Sequence, residues 1–275
     1  IKYEDFDVII HLLEFEYLFD ILKMIFYLHK KRSAVVCSWG LWPTQRFLIN
    51  TLRFWFARKC DMNLFYCREH LEFYRLLGVP SGKLRVLRNT VDDSLYRITE
   101  SNPNKNNLRF VSIGSIDYRK GFIEIAKLLQ FVEVSFEWIV IGDGPQRAEL
   151  DVFCKSNNIH ASFKGRVTSS EIISQLFSGA DACLTLNQAG LSVLTSLKCG
   201  TPVLGLESAI SGGEKFAIYN GFNGYLFNHL EAYKGYLRKD DLKICLNNMK
   251  SLMMNSNVDY SMKKLMVEPL VNELL

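Results

Sequence analysis

Two short stretches carry residue types suited to holding an anion. In "SIDYRKGF" (115–122), Lys120 precedes Gly121 directly after the apolar run "LRFVSIG" (108–114). In "NQAGLSVLTSLKCGTPVLG" (187–205), Gly190, Leu191 and Ser192 open a helical pattern directly after "ACLTL" (182–186). A lysine at a helix start opposes the macrodipole by about 0.3–1 kcal/mol, so Lys120 calls for an anionic partner. A solvated lysine beside Arg119 is the plain alternative. The unpaired amides at 190–192 suit a diphosphate, and a water-capped helix is the plain alternative there.

Three further loops follow apolar runs. Gly142 and Gly144 in "GDGPQRAEL" permit a tight turn and close backbone approach, with Pro145 suited to the first helical position, or they form an ordinary strand-to-helix turn. Gly165 with the amides of Arg166 and Val167 offers hydrogen bonds to a flat base edge, and Ser169 or Ser170 caps the next helix. Ser211 and Glu214 match the capping pattern S-x-x-E, which predicts that Glu214 caps a helix over 212–220.

The elements that must position these loops alternate. Strands are predicted at 6–10, 34–39, 62–67 and 84–89, with helices at 16–32, 44–60 and 69–78, the last ended by Gly78. After the polar stretch "ESNPNKNN" (100–107) come strands at 108–114, 136–142, 161–165, 182–186, 201–206 and 224–227. Helices lie between them at about 120–131, 145–157, 169–178 and 190–198. Continuous apolar strands imply a sheet covered on both faces, hence parallel strands joined by right-handed crossovers. The expected fold is therefore α/β, with two doubly wound Rossmann-like domains: 1–95, 96–228, and a helical tail over 229–275. The first domain reads as incomplete at its start, because the chain opens at "IKYEDFDVII" already inside a strand signal.

With 275 residues, 48% of them hydrophobic, the chain has ample apolar content for such cores. A formal charge of +4 suits anionic small molecules or an anionic membrane surface. No nucleic acid partner is expected, since the basic residues form no stripe and no motif of that class occurs. Seven cysteines without C-x-x-C spacing read as buried reduced thiols, and five scattered histidines argue against a zinc site. The helix at 44–59 mixes Arg46, Arg53, Arg58 and Lys59 with Phe47, Leu48, Leu52, Phe54, Trp55 and Phe56. It is either a peripheral membrane contact or a core-facing helix with snorkelling basic ends.

The segments "FVSIGSIDYRKGF", "WIVIGDGPQRAEL", "FKGRV", "GLSVLTSLKCGTPVLG" and "GEKFAIYNGFNGYLF" occur in that order. In that order they resemble the donor-binding half of the retaining glycosyltransferases of the GT-B fold, family four. "LGVPSGKLRVLRNTVD" (77–92) resembles the strand and hinge that close that family's first domain. The likeness spans roughly residues 34 to 228. It implies a nucleoside-diphosphate-sugar donor, a glycan or lipid-linked glycan acceptor, no metal and no other cofactor, and a cytoplasmic protein at the inner face of the membrane acting in surface polysaccharide biosynthesis. By the same resemblance Lys120 and the amides of Gly190, Leu191 and Ser192 contact the diphosphate. Gly114, Ser115, Gly142 and Gly144 line the donor, Arg166 and Val167 border the base, and Glu214 lies near the sugar. The family often has two glutamates eight positions apart, and here those positions are Asn187 and Thr195. Asn187 is then expected on a sugar hydroxyl in a catalytic role and Thr195 on a ribose hydroxyl. The Gly-Leu-Ser pattern resembles a branch of the family that dispenses with both glutamates. Ser115 stands where an arginine is often found.

Overall fold

The computed structural model describes residues 6–12, 18–23, 26, 35–39, 47–92, 94–99 and 107–256. The chain divides into two compact units between Asn89 and Thr90.

The first unit carries four parallel strands: β1 (Val8–Leu12), β2 (Val35–Trp39), β3 (Met62–Phe65) and β4 (Leu84–Val86). They lie in the order β1-β2-β3-β4. Helices α1 (Leu18–Lys23), α2 (Phe47–Lys59) and α3 (Arg68–Leu76) accompany them. The helix expected over 16–32 is described only as α1, and positions 44–46 of the next lie outside the described residues. Phe56 and Ala57 of α2 join Phe65, Tyr74 and Leu84 in the core. Leu48, Leu52 and Trp55, one helical stripe, face outward. The α2 helix is thus core-facing on one side, and Arg58 donates to the Leu77 carbonyl. Gly78 stops α3 with φ of +81°, a conformation that costs glycine little.

The second unit holds six parallel strands in the order β10-β9-β8-β5-β6-β7. These are β5 (Leu108–Ile113), β6 (Phe136–Ile141), β7 (Ala161–Gly165), β8 (Ala182–Leu184), β9 (Val203–Leu206) and β10 (Gly224–Phe227). The helices are α4 (Phe122–Leu129), α5 (Arg147–Ser156), α6 (Ser170–Ser178), α7 (Leu191–Lys198), α8 (Leu230–Leu237) and α9 (Leu242–Asn255). Successive strand residues enter opposite cores, which explains the unbroken apolar runs. Trp138 and Val140 pack with α4, α5, α8 and α9 on one face. Ile139 and Ile141 pack with α6 and α7 on the other. Buried polar groups at the sheet centre are paired: Trp138 Nε1 donates to Ser112 Oγ at 3.1 Å, and that hydroxyl donates to the Leu184 carbonyl at 2.9 Å.

Three expectations are corrected. The second unit begins at Thr90 rather than at 96. There Tyr96 lies against its core, and the amides of Arg97 and Thr99 donate to Ser174 Oγ and Ser178 Oγ. Within the expected tail, residues 229–256 are part of the second unit: Tyr233, Tyr236, Leu242, Leu246 and Met249 are core residues. Lys250 Nζ also pins α9 to the carbonyls of Ser178 and Ala180 at 3.0 and 2.8 Å. In place of a helix over 212–220 there is one 3₁₀ turn, Glu214–Ala217. Asn223 stops it, donating to the Ala217 carbonyl at 2.9 Å and accepting from the Tyr219 amide at 2.7 Å.

Candidate active site

The strand order reverses between β5 and β8, and both anion-type loops leave the carboxyl ends of these neighbours, where open α/β sheets form their crevice. The loop after β5 is shaped by Asp117, which the sequence reading passed over. Its carboxylate accepts from the amides of Arg119 and Lys120 at 3.1 and 3.3 Å and from the Arg119 guanidinium at 2.7 Å. The Arg119 guanidinium holds that carboxyl below the usual range. Gly121, with φ of +72°, turns the chain into α4. Lys120 then folds back over Gly114, where a β-carbon would stand 2.9 Å from Lys120 Cε. The Lys120 ammonium is half-buried. Burial lowers its pKa, and the negative charges of Asp117 and Glu214 oppose that shift.

The loop after β8 is tied from below. Thr185 Oγ1 donates to the Gln188 carbonyl at 2.9 Å. The Ile210 amide donates to Asn187 O at 2.8 Å, and the Ala189 amide donates to Ile210 O at 2.9 Å. Gly190 is the N-cap of α7, and no side chain caps that helix. A β-carbon on Gly190 would lie 4.0 Å from Lys120 Nζ. Lys120 and Ser192 line one small pocket floored by Ser112, Cys183, Leu184 and Thr185. A cation and the positive end of a helix thus converge with no carboxylate between them among the pocket's lining residues. Such an arrangement stabilises negative charge. Cys183 beneath it is inert, its thiol pushed up to about 12 by burial.

Gly142 and Gly144 serve the scaffold. A β-carbon would stand 1.9 Å from Gly114 O at the first and 2.5 Å from Ile116 O at the second. The loops after β5 and β6 are also laced together, Ile116 N donating to Asp143 O at 3.0 Å and Gln146 N to Ile116 O at 3.0 Å.

The family described as "Glycosyl transferases group 1" matches residues 97–256, more than half of the chain. The chain belongs to that family. No curated protein sequence matches this glycosyltransferase. Solved structures do, at identities that establish the fold alone. The apo form of the lipopolysaccharide outer core galactosyltransferase WaaB is 15% identical, with a TM-score of 0.72, over 98% of this chain and 74% of that one. Anabaena Alr3699/HepE in complex with UDP is 14% identical, with a TM-score of 0.76, over 98% and 79%. TarM is 14% identical, with a TM-score of 0.67, over 97% and 54%. The GT-B architecture of two Rossmann-like domains is therefore that of this glycosyltransferase as well.

The remaining expected residues of the glycosyltransferase spread outward from the pocket. Arg166 is exposed and Val167 packs on the core just after β7, at the sheet edge and three places from β8. Ser115 is exposed beside Gly114. Leu191 is half exposed at the start of α7, and Thr195 is buried on its inner side. Glu214 is buried too, and accepts from the Ser211 hydroxyl at 2.8 Å. Ser211 Oγ in turn takes the amides of Gly213 and Lys215, so the S-x-x-E pattern closes a turn rather than capping a helix. Asn187 points its carboxamide at the Lys120 loop, where its Nδ2 donates to Tyr118 O at 3.1 Å. Among the described residues no helix is long and apolar enough to cross a membrane.

Proposed function

We propose that the second unit binds a nucleoside-diphosphate sugar with its diphosphate between Lys120 and the amino end of α7. The sugar is then transferred to a hydroxyl of a glycan or lipid-linked glycan. The observation that carries this reading is the approach of Lys120 Nζ to the Gly190 N-cap. Cleavage of the bond between the anomeric carbon and the diphosphate oxygen leaves its electron pair on the departing phosphate. The acceptor oxygen forms the new bond and passes its proton to the departing diphosphate oxygen. Lys120 and the amides of 190–192 oppose the developing charge from fixed positions, which lowers the barrier without reorganisation. Gly114 and Ser115 border the same anion, while Arg166, Val167 and Gly165 face the base and Glu214 supports the sugar side. Retention of configuration and a hexosyl donor belong to the same reading, as does a cytoplasmic site of action in surface polysaccharide biosynthesis.

The solved neighbours captured with UDP and with UDP-glucose make uridine diphosphate the first nucleotide to test. Lys120→Ala is expected to slow release of nucleoside diphosphate from the donor by about 10²–10³-fold, the usual effect of removing one charge-stabilising group. Its melting temperature is expected to stay near that of the parent protein. Equal turnover in the two proteins would remove Lys120 from the chemistry. A second, non-catalytic reading draws on the neutral Asn187 and the buried Thr195, which supply no carboxylate. Its signature is donor binding without release.

A further inference from the structure

We infer that Asn187 is a positioning residue for Lys120 rather than a sugar contact: its carboxamide latches the loop after β5 to the loop after β8. This rests on the donor-site reading above. The Nδ2 group reaches across 69 residues of sequence to donate to Tyr118 O at 3.1 Å. Facing a carbonyl, only the NH₂ end of the amide forms a hydrogen bond, so its orientation is fixed by chemistry. The contact is close as well as polar. A β-carbon at Gly121 would stand 2.7 Å from Asn187 Nδ2 and 2.8 Å from its Cγ, so the amide lies flat against the one residue without a side chain there. Gly121 is also left-handed, with φ of +72°, so any other residue strains the backbone and displaces the amide together.

The latch is anchored on the far side. Asn187 O accepts from the Ile210 amide at 2.8 Å, and Gln188 bridges Ile210 in parallel fashion. The side chain therefore projects from a fixed backbone. What it holds is the turn Tyr118–Gly121, and Lys120 sits within that turn. From there the lysine stem crosses Gly114 toward Gly190. Asn187 thus sets how far the ammonium stands from the amides of 190–192, which is the dimension a diphosphate must match. A carboxylate at position 187 has no proton to donate to Tyr118 O and would add negative charge beside the anion site. An amide does what that place requires.

Calorimetric titration of the full chain with uridine diphosphate and with UDP-glucose tests the assignment, with guanosine and adenosine diphosphates as alternate probes. Asn187→Ala is expected to weaken uridine diphosphate by about three- to tenfold, the range for one hydrogen bond. UDP-glucose is expected to weaken by the same factor. The isosteric Asn187→Asp is expected to weaken both further, and Asn187→Ser, which keeps a small donor, provides a second truncation should the alanine variant fold poorly. In a Lys120→Ala background, Asn187→Ala is expected to add less than twofold, because its effect passes through the lysine. Two results overturn the proposal while leaving the donor site standing. One is a loss confined to UDP-glucose, which marks a direct sugar contact. The other is full multiplication of the two single-variant factors, which marks independent action. If the parent protein binds none of the three diphosphates, the donor-site reading fails and the latch fails with it.

Discussion

Replacing Gly142 by alanine tests whether the two βα loops are fixed as rigidly as their packing indicates. The added β-carbon would stand 1.9 Å from Gly114 O and 2.9 Å from Gly114 C. Reaching ordinary contact at about 3.4 Å requires a displacement of roughly 1.5 Å between two main chains that have no flexible side chain to give way. That displacement strains three hydrogen bonds: Gly142 N to Gly165 O at 2.8 Å, Gly114 N to Ile141 O at 3.0 Å and Ile116 N to Asp143 O at 3.0 Å. Each contributes about 0.5–1.5 kcal/mol. Backbone strain at φ of +138° adds about 1–3 kcal/mol. The expected destabilisation is roughly 3–7 kcal/mol, a large share of the stability of an ordinary domain. Gly165→Ala is the control. It shares a positive φ of +66° but has open space around it, so strain alone applies, at about 1–2 kcal/mol. Urea unfolding followed by far-ultraviolet circular dichroism compares the two variants with the parent chain. A Gly142→Ala protein within about 1 kcal/mol of Gly165→Ala would show that the loops yield freely, and the rigid-scaffold argument for Lys120 would fall with it.

Two further predictions concern binding. Only the ammonium form of Lys120 attracts a diphosphate, and burial moves its loss of charge below lysine's usual range. Affinity for uridine diphosphate is therefore expected to fall on the alkaline side, by up to about tenfold per pH unit beyond that pKa. Lys120→Arg, which keeps its proton, is expected to flatten this limb, and an unchanged limb in the arginine variant would assign the titration to another group. The outward stripe of Leu48, Leu52 and Trp55 with Lys59 near the Trp55 ring supports peripheral contact with an anionic membrane. Co-sedimentation with phosphatidylglycerol vesicles is expected, and is expected to drop when Leu48 and Trp55 are both changed to Ser. No pelleting at any ionic strength would rule the contact out.

The strands of the second unit were legible because Leu108–Ile113 and Phe136–Ile141 are apolar without interruption, and only a sheet covered on both sides explains that. The convergence of Lys120 and Gly190 came from the family resemblance alone, since no sequence pattern told that β5 and β8 are neighbours. Other features depended on contacts that sequence does not carry. Gly142 announced a close approach but not that Gly114 was the neighbour. Asn187 was expected on a sugar hydroxyl, and nothing in its surroundings in sequence points to Tyr118. Around Ser211 and Glu214 the local pattern was read as a helix. Asn223 instead bonds back to Ala217 O and Tyr219 N at the end of the 3₁₀ turn, and a contact of that kind outweighs local propensity. The helical character of the segment holding α9 was visible, but the surface it covers was not.

The order of the larger sheet has a consequence for synthesis. Ser112 and Leu184, joined at its centre, are 72 residues apart, whereas the strands on the other flank pair with near neighbours in sequence. Closing so long a loop is entropically slow. A chain emerging amino end first can assemble β5, β6 and β7 while β8 is still unmade. Through that interval Lys120 hangs over a bare strand edge, and the crevice comes into being only when the later segment inserts beside it. Termination between β7 and β8 would thus yield a partial sheet whose lysine has neither the Asn187 latch nor a pocket to serve.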